Sequence, residues 1–199
     1  IFFRVFCPHL LLVPMGLGDK FIRGIEKFEK KVDAWAAEGE AEERRKKAVS
    51  FVDELGPELT GKMVCTGDSC SSGKAKTADA LAGKTVALYF SAHWCPPCRA
   101  FTPQLAEWYT KDLAAKGLEI VFVSWDKDQG SFDEYLDQMP WKALPFSARD
   151  KKDALGKKLH IKGIPSLVIF DADGTLITTE GREVVTQDPT GSKFPWKGA

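Results

Sequence analysis

Two cysteines separated by two prolines, Cys95-Pro96-Pro97-Cys98, are the residues whose types and spacing point most directly to chemistry. Thr85 to Ser91 before them is a compact apolar run of buried-strand type, and Pro96 to Lys116 after them has helical spacing. Both cysteines therefore belong to the first turn of a helix. Unpaired backbone amides and the positive end of the helix dipole stabilise a thiolate at that position, and the thiolate is the nucleophile of disulfide exchange. With two intervening residues the second sulfur reaches the first, so a mixed disulfide formed at Cys95 can be resolved by Cys98. Pro96 and Pro97 suit this turn, because proline has no amide to leave unpaired and its φ is already helical. Arg99 either adds a positive charge that favours the thiolate or is a solvated side chain.

A C-x-x-C pair is also half of a zinc site, and Cys65, Cys70, Cys95 and Cys98 would supply four sulfur ligands. The Cys65-x4-Cys70 spacing is looser than usual, and the second pair opens a helix after a strand rather than forming a knuckle; no metal is expected. Cys65 and Cys70 read as two ordinary thiols, with a regulatory disulfide as the alternative. Cys7 falls in an unplaced segment, and His9 and His160 show no partner. His93 either tunes Cys95 or faces solvent at a strand end. Asp126 to Asp128 and Lys151 to Asp153 read as helix-start and surface charge. There is no Gly-rich phosphate loop, and no cofactor is expected.

The elements that must position the dithiol follow an α/β pattern. Leu118 to Trp125 is a second continuous apolar strand, Ser131 to Met139 and Asp150 to Leu159 are short helices, and Ser166 to Asp171 turns back through Ala172-Asp173-Gly174 into Thr175 to Thr179. Strand, helix, strand, helix, hairpin describes a mixed sheet flanked by helices. Lys62 to Thr66 is a short strand followed by a polar loop, Gly67 to Lys74. Ahead of these, Phe21, Ile25, Phe28, Val32 and Trp35 are spaced alternately four and three apart and share one helix face. A charge run, Glu40 to Lys47, and a second face, Ala48, Val52 and Leu55, lead to the stop at Gly56-Pro57. The expected organisation is an N-terminal helical extension over residues 1–58 and one α/β domain over 59–199. The seam of the extension packs on the domain or on itself, or serves as a dedicated partner-binding helix.

With 28 basic against 28 acidic side chains the net charge is zero, which gives no sign of a nucleic-acid or membrane-surface partner. Phe2 to Leu17 is interrupted by Arg4, Pro8, His9 and Pro14, too broken for a spanning helix. Five cysteines, an odd number in a chain of this size, fit a reducing compartment, so the cytoplasm and also the nucleus are expected. Because the chain opens with Ile1, its start is expected to lie upstream, and a targeting signal there would be out of view.

Several motifs carry a resemblance. Tyr89-Phe90-Ser91-Ala92-His93 followed by Trp94-Cys95-Pro96-Pro97-Cys98-Arg99, then Ser124-Trp125-Asp126, Met139-Pro140-Trp141 with Ala143-Leu144-Pro145-Phe146, Gly163-Ile164-Pro165-Ser166, and Asp188-Pro189 with Gly191 and Phe194-Pro195-Trp196 occur in order. Together they resemble the tryparedoxin and nucleoredoxin branch of the thioredoxin superfamily, over roughly residues 58 to 197. The resemblance implies a thioredoxin fold, with Cys95 as attacking thiolate and Cys98 as resolving thiol. It implies that Ile164-Pro165 is a cis-proline loop beside the dithiol; the exposed backbone of Ile164 suits an extended substrate strand. Trp94 would be a flat contact for substrate or a shield for the sulfur, and Pro103 resembles the kink proline of the helix. Thioredoxins carry a buried aspartate six residues before the first cysteine, where this chain has Tyr89, so proton transfer from Cys98 must use water or another group. Kinetoplastid tryparedoxins have an acidic residue two before the Ile-Pro pair, where this chain has Lys162, and that favours a nucleoredoxin-like role. Arg182 is either an approach for an anionic thiol such as glutathione or a solvated arginine.

The expected function is a thiol-disulfide oxidoreductase, a protein-disulfide reductase acting on disulfide-containing proteins or peroxidases. It would be re-reduced by a thiol or a flavoprotein reductase, as a monomer. The competing readings are a redox-dependent interaction module with little turnover and a secretory-pathway isomerase.

Overall fold

A computed structural model of the chain describes residues 27–36, 38–39, 48–66 and 69–198. Phe21, Ile25, His9, Cys7 and the whole charge run Glu40 to Lys47 lie outside the described residues. The chain divides into two compact units, residues 1–46 and 47–199. In the first, residues 27–36 form a helix (α1), on which Phe28, Val32 and Trp35 are exposed. The second unit takes in the short helix α2, Phe51–Leu55, which the sequence pattern had grouped with the extension. Ser50 caps α2 by accepting from the Asp53 amide, and the Val49 amide donates to the Gly174 carbonyl at 2.8 Å, tying this segment to the far hairpin.

β1 (Glu58–Leu59) pairs with β4 (Ala75–Lys76), and β2 (Met63–Thr66) with β3 (Ser69–Ser72), both antiparallel. The expected polar loop from Gly67 thus contains a strand, and Cys65 and Cys70 are register partners in the β2–β3 ribbon. After α3 (Thr77–Leu81) comes the main sheet of five strands, β5 (Thr85–Ser91), β6 (Leu118–Ser124), β7 (Lys142–Ala143), β8 (Ser166–Phe170) and β9 (Leu176–Thr178), in the order β7-β6-β5-β8-β9. β5 runs parallel to β6, and β8 antiparallel to β5. Every residue of β5 and β6 is buried, which explains their largely apolar character: helices cover both faces, and the one charged residue, Glu119 of β6, pairs with Lys84 at 2.6 Å.

Alternate strand residues feed two cores. Ala87, Tyr89, Ile120, Phe122, Leu167 and Ile169 face α4 (Pro96–Trp108), the π-helical turn Tyr109–Leu113, α5 (Gln129–Leu136) and α7 (Gly181–Gln187). Val86, Leu88, Phe90, Val121, Val123 and Val168 face α2, α3 and α6 (Arg149–Lys158). The segment after α7 returns across the first core, where Trp196 is buried. Gly191 makes that return possible: its φ is +65°, and a Cβ there would lie 2.7 Å from Leu113 Cδ2. Among the described residues no helix is long and apolar enough to cross a membrane.

The sheet register sets up the site. β5 and β6 finish together, Ser91 beside Ser124, and antiparallel β8 begins there, Ser166 beside Phe90. The loops after β5 and β6 and before β8 therefore meet at one end of the sheet.

Candidate functional site

Cys95 is the N-cap of α4, with extended backbone (φ −91°, ψ 110°), and Pro96 follows as the first helical residue. The helix runs on through Pro103, whose missing amide leaves the Arg99 carbonyl without its helical donor. Cys95 and Cys98 are joined as a disulfide, their Cα atoms 5.2 Å apart. The Cys98 amide donates to Cys95 Sγ at 3.3 Å, so one of the unpaired donors of the helix start is spent on this sulfur. The Ile164–Pro165 bond is cis, and the Ile164 carbonyl oxygen lies 3.8 Å from Cys95 Sγ. Ala92, Trp125 and Ile164 complete the shell around the two sulfurs.

Trp94 is 53% exposed, and its indole Nε1 donates to the Trp125 carbonyl at 3.2 Å, laying the ring across the loop after β6. Pro96, Pro97 and Arg99 are exposed on the rim. Arg182 is also exposed, its guanidinium carbon 5.7 Å from the centre of the Phe101 ring. His93 is turned toward α5, Nδ1 3.9 Å from a Glu134 carboxylate oxygen and its ring 5.7 Å from that of Tyr135. Among the described residues there is no cluster of three or more side chains suited to hold a metal.

Two features of the site are not apparent in the sequence. Under α4, the Thr102 hydroxyl donates to the Cys98 carbonyl at 3.0 Å and is met by the hydroxyls of Tyr89, at 2.8 Å, and Tyr135. Ser91 Oγ joins Tyr89 and Tyr135, each at 3.1 Å. Burial, reinforced by Tyr135, holds the Tyr89 phenol above its ordinary range, so at the place where thioredoxins have an acid this chain has a neutral hydroxyl network.

The second feature is Asp126, which is buried and not surface charge; only Asp128 has the expected helix-start role, accepting from the Ser131 amide at 2.9 Å. Asp126 accepts from the His93 amide at 2.7 Å and from Ser124 Oγ at 2.8 Å, joining the loop after β6 to the residues just before Cys95. Burial raises its carboxyl above the ordinary carboxylate range, against the opposing pull of the Ser124 and His93 bonds. A carboxyl raised by folding adds stability that is full below the unfolded value of about 3.9 and is lost as pH rises through the folded value. Asp126→Asn keeps an acceptor for the His93 amide and removes the titration. Urea midpoints of the parent should therefore fall relative to this variant as pH rises from about 4 toward neutrality. Parallel midpoints across that range would show that Asp126 does not carry the titration.

A family model described as Thioredoxin-like matches residues 83–176. Tryparedoxin of Trypanosoma brucei brucei is 51% identical over 117 residues, which cover 58% of this chain and 81% of that protein. The chain belongs to the tryparedoxin and nucleoredoxin branch of the thioredoxin superfamily. Nucleoredoxin of Danio rerio is 45% identical over 118 residues, but those residues span only 28% of its length. Among solved structures, native tryparedoxin I from Crithidia fasciculata is 41% identical and overlies 75% of this chain and 100% of its own with a TM-score of 0.65. A tryparedoxin II solved in complex with glutathionylspermidine is 40% identical, covering 74% of this chain and 99% of its own, at a TM-score of 0.62. This member of the branch is a thioredoxin-like redox enzyme, and its dithiol stands at the strand-to-helix junction that the sequence indicated.

Proposed function

We propose that the chain is a protein-disulfide reductase. The observation that carries this reading is the placing of Cys95 Sγ between the Cys98 amide and the carbonyl of cis-linked Ile164. In the reduced protein the amide and the helix start favour the Cys95 thiolate. That thiolate attacks one sulfur of a substrate disulfide, forming a mixed disulfide and releasing the other sulfur as a thiolate, which takes a proton from solvent. Cys98 then loses its proton and attacks Cys95 Sγ; the second substrate thiol leaves, and the Cys95–Cys98 disulfide remains. A thiol, or a flavoprotein reductase, returns the two electrons.

Ile164 offers its backbone to an extended substrate strand, Trp94 its exposed ring, and Pro96, Pro97 and Arg99 the rim of the contact. Lys162, two residues before Ile164, repels a polyamine-bearing thiol, and this favours protein disulfides and peroxidase partners as substrates. The expected setting is a reducing compartment such as the cytoplasm.

The test is insulin reduction with dithiothreitol as electron source, counted per molecule of protein. Many disulfides reduced per molecule support the proposal. A count that stops near one would instead indicate an interaction module that exchanges once and holds its partner.

A further inference from the structure

Beside the dithiol lies an open groove of about 630 Å³ that the exchange chemistry leaves unused. One side is α6 and the turn after it, bearing Lys152, Asp153, Lys157 and His160; the other is formed by Lys162 on the way to cis-Pro165 and by Trp125. Trp125 belongs both to this groove and to the shell around Cys95 and Cys98, so the groove and the sulfurs share a wall. The Lys152 ammonium sits 5.9 Å from the centre of the Trp125 ring and pairs with Asp153. Asp153 is the only carboxylate among the lining residues, against three lysines, and its own pKa is lowered by Lys152 first and by Lys157 among the weaker contributors. The groove thus keeps a surplus of positive charge over an apolar floor.

Its distance from the site is set by the chain. Lys162 precedes Ile164 by two residues, and an extended segment advances about 3.3 Å per residue. A strand lying along Ile164 therefore comes level with Lys162 after roughly two residues, and the α6 lysines line the same groove. We propose that this groove selects substrate proteins by acidic residues about two to four positions from the reacting cysteine. The inference rests on the reductase reading above and specifies its substrate class. A protein segment fits better than a small anion, because the groove is an open trough rather than an enclosed pocket and the Lys152 ammonium is already engaged by Asp153.

The experiment uses the pre-reduced full chain and disulfide-linked peptide dimers that carry Glu, Gln or Lys two to four positions from the cysteine, in one set before it and in another after it. Each exchange rate is divided by that of dithiothreitol with the same peptide, which removes differences in thiol reactivity. The Glu peptide should outpace the Lys peptide about tenfold in one of the two sets at low salt, and the ratio should shrink in about 0.5 M salt. In Lys157→Glu/Lys162→Glu the ratio should invert; taken within one protein, it is insensitive to any general loss of activity. Equal rates for all peptides would overturn the groove and leave the reductase reading standing. So would a preference that survives the charge reversal. No reduction of any peptide would overturn the reductase reading, and the groove with it.

Discussion

Insulin reduction by Cys95→Ser is expected to fall to the rate of dithiothreitol alone, a loss on the order of a hundredfold or more, because a serine hydroxyl does not attack a disulfide. Cys98→Ser should fail differently. Cys95 keeps the backbone amide of residue 98, which serine supplies as cysteine does, so the first exchange still proceeds and the substrate stays bound as a mixed disulfide. Intact-mass analysis without reductant would show one added substrate chain on Cys98→Ser and none on Cys95→Ser. The same amide, with the N-cap position, should bring the Cys95 thiol below the ordinary value of about 8.5, read as the midpoint of its alkylation rate against pH in the reduced protein. Turnover by Cys95→Ser at the parental rate would remove the dithiol from the chemistry altogether.

The largest stability effect is expected far from the sulfurs, at Asp188. Its carboxylate accepts four hydrogen bonds: from the Ser192 amide and hydroxyl at 2.8 and 2.7 Å, from the Lys193 amide at 2.8 Å and from Trp196 Nε1 at 2.9 Å. Burial alone would raise this carboxyl, but the hydrogen bonds together outweigh it and hold the group well below the ordinary carboxylate range. Asp188→Ala strands a buried indole donor and two amides, a cost of about 3 kcal/mol, or roughly 10 °C in Tm. The sign with pH is opposite to that of Asp126. A carboxyl depressed by folding contributes its full stability above the unfolded value of about 3.9 and loses it as pH falls through the folded value. The gap between parent and variant should therefore persist at neutral pH and narrow in acid below about pH 4. A gap that does not change with pH would assign the effect to packing.

The central strands were legible because burial on both faces leaves apolar runs, interrupted in the second only by Glu119; Thr85–Ser91 has the ends that the pattern predicts, and Leu118–Ser124 is one residue shorter than predicted. The dithiol was legible for a related reason, since a strand-to-helix junction is a local pattern. α3, β7 and α7 were not read. They are two to seven residues long, too short for periodicity to emerge, and α7 starts at Gly181, where a Cβ would meet the Leu167 carbonyl at 2.6 Å, a constraint set by the sheet. Asp126 sits in Trp125-Asp126-Lys127-Asp128, which reads as a charged loop; the amide that accounts for its burial comes from His93. The hydroxyls of Thr102 and Tyr135 likewise meet only when α4 and α5 pack on the same face. The lysines of α6 read as solvated charge until the fold sets Lys162 beside them.

The burial of Trp196 has a consequence for synthesis of the chain. Every part of the redox site, from Trp94 to Pro165, leaves the ribosome before the indole that closes the first core, which follows Pro165 by about thirty residues. For that interval the nascent chain carries its cysteine pair on a fold whose Leu113 side is still uncovered, with the apolar surface that chaperones recognise. The cysteine pair can thus be in place before the first core is closed, and the Asp188 carboxylate, which accepts from the Trp196 indole, marks the point at which that core is covered.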